Sequence, residues 1–193
     1  MSKGTQISQI FLCHLHNLWL PFWVWRNGTF RSIFAPMLTQ TPVTAALDAL
    51  GLPYRLFRHS GHVASLEQAA AERGQMPQQV VRSILFRLGA ESFVMVLVAG
   101  PGQVSWSALR KALGQSRLTM ASEDEVLAAT GYRTGAVSPL GLPTPIRILA
   151  DESVFLPEEI SIGSGERGLV VILRSPDLRK ALPDVQLGRF TSG

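Results

Sequence analysis

The run Phe93-Val94-Met95-Val96-Leu97-Val98-Ala99 is apolar at every position, so neither face of the strand it forms can be left to water. Such a strand belongs in the middle of a sheet, with cover on both sides. Val81-Arg82-Ser83-Ile84-Leu85-Phe86-Arg87-Leu88 precedes it across Gly89-Ala90-Glu91, a spacing that predicts an antiparallel hairpin. The cover has to come from elsewhere in the chain, and helix signals are found on either side of the hairpin.

Thr41-Pro42 opens one helix that Gly51 closes, with Val43, Ala46, Leu47 and Leu50 on one apolar face. Ser65-Leu66-Glu67-Gln68 is a capping box for a second helix ending at Gly74. Ser105 starts a helix running to Leu113, Ser122-Glu123-Asp124-Glu125 starts one running to Thr130, and Ser175-Pro176 caps a last one ending near Leu182. The acidic triplet 123–125 is read as dipole compensation in a first turn, not as a metal or acid/base site. Strands are expected at Tyr54–Phe57, Leu118–Met120, Ile146–Ala150, Ile160–Ile162 and Leu169–Leu173. Interleaved helices and strands with an antiparallel hairpin predict an α+β fold: a single domain with a mixed, mostly antiparallel sheet and helices packed around it.

The apolar fraction of 46% in 193 residues supplies one substantial core. A lone cysteine, Cys13, excludes an internal disulfide framework and a cysteine-based metal site, and a reducing, cytoplasmic setting is the simplest expectation. The net charge of +4 is unevenly placed: residues 1–36 hold Lys3, Arg26 and Arg31 and no acid, leaving 15 basic and 14 acidic residues beyond. The body of the chain is nearly neutral, so an RNA partner would have to be met by a local arginine patch. Arg55, Arg58, Arg110, Lys111 and Arg133 are the candidates for an acceptor stem.

Ile10 to Trp25 is apolar and aromatic but is interrupted by His14, His16, Asn17 and Pro21, which makes it short for a membrane span. Two readings stand. Residues 1–36 are an extension, either outside the natural product, which then starts at Met37, or loosely attached to it, or they form an aromatic interfacial anchor. The first is preferred because domain signals begin at Thr41, so the domain is placed at 37–193 and membrane association is not expected. His14-x-His16 has no third ligand in the sequence.

Some motifs mislead. Gly163-Ser164-Gly165-Glu166-Arg167-Gly168 is a literal G-x-G-x-x-G, yet the β-type run Leu169–Leu173 follows it where a dinucleotide site needs a helix. It is read as a turn between antiparallel strands. Ser138 lacks a nucleophile elbow, and His59-x-x-His62 lacks a third metal ligand, so neither a serine hydrolase nor a metal site is expected.

The most unusual stretch is Gly131 to Pro143, thirteen residues with three glycines and two prolines between a helix and a strand. That composition opposes both helix and ladder, and turns amide groups toward a cavity that could hold an anion, a carbonyl oxygen or a terminal ribose.

Gly131-Tyr132 followed by Gly135-x-x-Ser138-Pro139-x-Gly141 resembles the G-x-x-x-P loop of the YbaK-type aminoacyl-tRNA editing domains, which also occur inserted in bacterial prolyl-tRNA synthetases. Three further stretches match in order: Thr41-Pro42 with Leu52-Pro53-Tyr54; Leu66 to Ala70 with Val80 to Phe86; and Gly163-x-Gly165-x-Arg167-Gly168-Leu169 with Pro176-Asp177-Leu178. The resemblance covers residues 41 to 187. It implies a deacylase acting in trans on the 3′ end of a mischarged aminoacyl-tRNA, with a synthetase as a further partner, no DNA and no cofactor.

By the same resemblance, Gly135 and Ala136 present amides to the ester carbonyl or ribose, Pro139 fixes the loop, and Arg82 stands where editing members commonly carry lysine. Substrate contact is expected from Gly131, Tyr132, Val137, Ser138 and Pro139, from His59 and His62, and from Gly163, Ser164 and Gly165. Gly163 stands where the family usually has a serine, with Ser164 beside it. Arginine keeps the positive charge at position 82 but cannot accept a proton. A second reading therefore stays open: a non-catalytic module of the same fold that binds an aminoacyl-adenosine or another small ligand.

Overall fold

The computed structural model describes residues 40–89 and 92–192. The readings of the segment before residue 40, with its start, anchor and histidine alternatives, lie outside the described residues, as does the Ala90-Glu91 tip of the hairpin.

Helix α1 spans Pro42–Ala49, entered through a reciprocal cap in which Thr41 Oγ1 accepts the Thr44 amide at 3.2 Å and Thr44 Oγ1 accepts the Thr41 amide at 2.8 Å. Strand β1 (Arg55–Arg58) leads to α2 (Leu66–Glu72), capped by Ser65, and a 3-10 turn at Pro77–Gln79. The hairpin follows as β2 (Val81–Arg87) and β3 (Phe93–Ala99), then β4 (Gln103–Val104), α3 (Trp106–Leu113), β5 (Thr119–Met120) and α4 (Glu123–Thr130). After the glycine- and proline-rich loop come β6 (Arg147–Asp151), a 3-10 turn at Glu152–Phe155, β7 (Glu159–Gly163), β8 (Leu169–Arg174), α5 (Ser175–Ala181), β9 (Gln186–Gly188) and β10 (Thr191–Ser192). Ser175 does not cap α5 as expected: it is the first helical residue, and its hydroxyl donates to the Pro157 carbonyl at 2.5 Å.

A five-stranded sheet has the order β5-β2-β3-β6-β9, with β3–β6 and β6–β9 parallel and the other pairs antiparallel. The all-apolar β3 is its middle strand, and Val94 to Val98 are buried on both faces. Strand alternation divides the core. Leu85, Met95, Leu97 and Ala150 pack on one side with α1, β7 and β8, whereas Phe86, Val94, Val96 and Leu149 pack on the other with Leu109 and Leu113 of α3. The second sheet, β1-β8-β7, is antiparallel throughout, which makes Gly163–Gly168 the turn between antiparallel strands that its sequence context requires. Strands β4 and β10 form a separate pair.

The two larger sheets meet at the start of β2. Strand β5 pairs with β2 only at Phe86 and Arg87, and Val80, just before β2, bridges Ser161 of β7.

Candidate active site

A cavity of about 840 Å³ opens at this junction. Arg82 and Ser83 of β2, Ser161 to Gly163 of β7, the loop residues Thr134, Gly135 and Val137, and His59, His62 and Arg73 around α2 all line it. Arg82 and the loop therefore border one cavity, although 53 residues separate Arg82 from Gly135.

The loop is held by its contacts outside the cavity. Gly131 ends α4 in the left-handed region at φ +73°, and Tyr132 turns inward until it is 3% exposed. Its hydroxyl shares one proton between the carbonyls of Leu140 and Gly141, each at 2.8 Å, and burial pushes its pKa up to about 12. The Ala136 amide donates to the Arg133 carbonyl at 3.0 Å, and the Ala136 carbonyl accepts from the Gly165 amide at 2.9 Å. Ser164 staples its own turn, donating to the Leu169 carbonyl at 2.8 Å. Gly131, Tyr132, Ala136, Ser138, Pro139, Ser164 and Gly165 do not line the cavity.

For Ala136 this changes the chemistry, because its amide is already used within the protein. Gly135, at φ +89°, and Val137 line the cavity, and among the described residues neither amide has an acceptor. Unlike that of Ala136, these two amides are not used within the described residues of the protein.

Arg82 shares the sheet face of Ile84 and Phe86, and one Nη donates to the Gly102 carbonyl, which ties one end of the guanidinium to the protein. Burial pushes its pKa down. His59 is covered, with Nδ1 2.5 Å from Glu72 Oε2 and Nε2 2.9 Å from Arg73 Nη1. Arginine can only donate, so Nε2 must accept and Nδ1 carries the proton toward Glu72. His59 therefore presents no free ring nitrogen, whereas His62 is exposed on the β1–α2 loop at the cavity rim. Among the described residues no group of His, Cys, Asp and Glu could hold a metal ion, and no helix is long and apolar enough to cross a membrane.

Sequence reasoning missed Arg73. The run Glu72-Arg73-Gly74 looks like an ordinary helix end, where a basic residue offsets the dipole. Nothing local shows that its guanidinium folds back, 8% exposed, between His59 and Gln75. Of the candidates for an acceptor-stem patch, Arg55 and Arg58 pair with Glu159 and Glu166, both at 2.8 Å, and none of the five lines the cavity.

Four buried side-chain polar atoms of the described residues lack a hydrogen-bond partner: Arg73 Nη2, Arg82 Nε, Ser83 Oγ and Ser161 Oγ. All four residues line this cavity. Buried polar groups are normally satisfied, and these four unmet ones gather in residues of one cavity wall although the atoms themselves are closed to solvent.

The sequence matches the model of the aminoacyl-tRNA editing domain over residues 60–181. The chain belongs to the aminoacyl-tRNA editing domain family. This editing domain is 33% identical to the proline–tRNA ligase of Kosmotoga olearia over 106 residues, which are 55% of this chain and 18% of that enzyme. With the proline–tRNA ligase of Aquifex aeolicus it shares 26% identity over 119 residues, 62% of this chain and 19% of the enzyme. The chain thus spans about a fifth of the length of these relatives. A crystal structure of a proposed trans-editing enzyme for prolyl-tRNA synthetase superposes with a TM-score of 0.71, covering 79% of this chain and 96% of that one. At 24% identity that likeness establishes the fold.

Proposed function

We propose that this editing domain hydrolyses, in trans, the ester that joins a wrong amino acid to the terminal adenosine of a tRNA. The observation that supports this most is the pairing of unbonded Gly135 and Val137 amides with a cationic cavity wall in one site.

An aminoacyl ester is already activated, so hydrolysis needs orientation, a polarised carbonyl and a water. The two amides would take the carbonyl oxygen as it gains charge. Ser83 and Ser161 are hydroxyls without a hydrogen-bonded base, so neither is set up as a nucleophile. The ribose hydroxyl next to the ester and a bound water are the groups left to do the chemistry. Arg82, tied to Gly102, supplies fixed positive charge and not proton transfer. The editing domain family and the prolyl-tRNA synthetase relatives make aminoacyl-tRNA the natural substrate class and a synthetase the natural partner.

The test is to incubate the full chain with a panel of mischarged tRNAs and follow release of free amino acid. Release from at least one is expected. Stability of every ester in the presence of folded protein would reject the reading in favour of a binding module.

A further inference from the structure

Helix α3 opens with Trp106, which is 39% exposed. One exposed aromatic is ordinary on a protein surface, but its surroundings here are not. Arg110 stands one turn on from Trp106 and Lys111 one turn on from Ser107, all four exposed, with Leu109 and Leu113 buried beneath them. From Gln103 to Met120 the chain holds Arg110, Lys111 and Arg117 and no acid. Among the described residues these three make no hydrogen bond or ion pair, whereas Arg55, Arg58, Arg87, Arg174, Lys180 and Arg189 each lie beside a carboxylate. The acids that follow, Glu123 to Glu125, open α4, whose Val126 packs in the core on the other side of the five-stranded sheet from Leu109 and Leu113.

The Trp106 ring meets the ring of the fully buried Phe86 at 89°, with centroids 5.2 Å apart. It is therefore held in place while part of it stays open to solvent. A fixed aromatic among unpaired cations suits a single strand of nucleic acid, whose bases stack on the ring while its phosphates meet the charges. An acidic protein would use the charges and leave the ring idle.

The cavity is within reach of this surface. Arg82 and Phe86 share one face of β2, four residues and ~13 Å apart, about the rise of four stacked nucleotides. Arg82 lines the cavity, and its guanidinium donates to the carbonyl of Gly102, three residues before the Ser105 cap of α3. Strand β5 pairs with β2 only at Phe86 and Arg87, so among the described residues no strand covers that edge from Arg82 to Leu85.

We propose that this face of α3 is a track for unpaired RNA: Trp106 stacks on a base, Arg110 and Lys111 meet phosphates, and the strand runs past Arg82 to its 3′ end in the cavity. The track rests on reading the cavity as the ester site.

The experiment uses a short RNA hairpin with an unpaired 3′ tail ending in adenosine, the same hairpin with a blunt end, and a set of adenosines carrying amide-linked amino acids at the 3′ position. Each is titrated into the full-length protein and into variants with wild-type far-UV circular dichroism: Trp106→Ala, Trp106→Phe, and Arg110→Ala with Lys111→Ala. A control pair, Arg174→Ala with Arg189→Ala, removes the same charge from exposed, ion-paired arginines. Wild type should bind the tailed hairpin ~10-fold or more tightly than the blunt one. Trp106→Ala should lose that advantage and Trp106→Phe keep part of it. Replacing Arg110 and Lys111 should flatten the plot of log affinity against log salt by about 1.4, two phosphates at ~0.7 each, while the control pair leaves the slope unchanged. The adenosine compounds should bind every variant as they bind wild type. Equal binding of the two hairpins, losses matched by the control pair, or binding of adenosine compounds but of no RNA overturns the track and leaves the ester-site reading intact. Binding of no RNA and no adenosine compound overturns both.

Discussion

A Cβ placed on Gly163 would lie 2.2 Å from the carbonyl oxygen of Val137 and 2.6 Å from that of Ala136. Two loop carbonyls thus rest on the bare backbone of β7, and this contact sets where the Gly135 and Val137 amides stand. Gly163→Ala should lift the loop, costing about 1 to 3 kcal/mol of stability and a larger share of deacylase activity. Gly89→Ala is the control, since a Cβ there meets nothing within 4 Å. Denaturant melts alongside ester hydrolysis rates would expose an error if Gly163→Ala behaved like Gly89→Ala.

Tyr132 braces the same loop from inside. Tyr132→Phe leaves the Leu140 and Gly141 carbonyls without their shared donor and should cost about 1 to 2 kcal/mol. The pH dependence has a definite sign. With the folded-state pKa at about 12 against about 10 unfolded, the unfolded chain loses its proton first. The stability from keeping Tyr132 neutral is complete below pH ~10 and drains away as pH rises toward 12. The gap between wild type and Tyr132→Phe in chemical denaturation should therefore narrow over that interval; a constant gap would contradict the burial argument.

Asp151 ties the end of β6 to the C-terminal segment. Its Oδ1 accepts from the Ser153 amide and hydroxyl at 3.0 and 2.5 Å, and Oδ2 from the amides of Phe190 and Thr191 at 2.6 and 3.0 Å. Burial pushes this carboxyl up, but the hydrogen bonds from Ser153, Phe190 and Thr191 outweigh it and hold the pKa below the ordinary value. The stability is present above pH ~4 and is lost as pH falls through the lowered folded-state pKa. Asp151→Asn should cost about 3 kcal/mol at neutral pH and flatten the acid limb of the stability curve. An unchanged acid limb in urea melts would show that the acid sensitivity lies elsewhere.

Arg82 separates the two functional readings. Arg82→Ala should lower kcat/KM for ester hydrolysis roughly a hundredfold, while Arg82→Lys stays within about tenfold of wild type. Activity that arises only in Arg82→Lys would identify the natural protein as a binding module. No change in either variant would reduce Arg82 to its bond with Gly102.

Sequence alone determined the features written in neighbouring residues. The all-apolar run 93–99 became the middle strand, Ser65, Ser105 and Ser122 capped their helices as read, and a β-type run after Gly168 excluded a dinucleotide site. The family could be named from four short stretches in order. Tertiary structure decided who faces the cavity. A turn within the thirteen-residue loop uses the Ala136 amide on the Arg133 carbonyl, whereas the seating of the Ala136 and Val137 carbonyls on Gly163 of a distant strand sets where the loop lies. Arg73 could not be found from its neighbours, because its partner His59 lies 14 residues away and the cavity wall it joins is built by β2 and β7, whose nearest bridge joins Val80 to Ser161. Local preference fixes how each segment bends, whereas the partner of a buried charge is set by where distant segments meet.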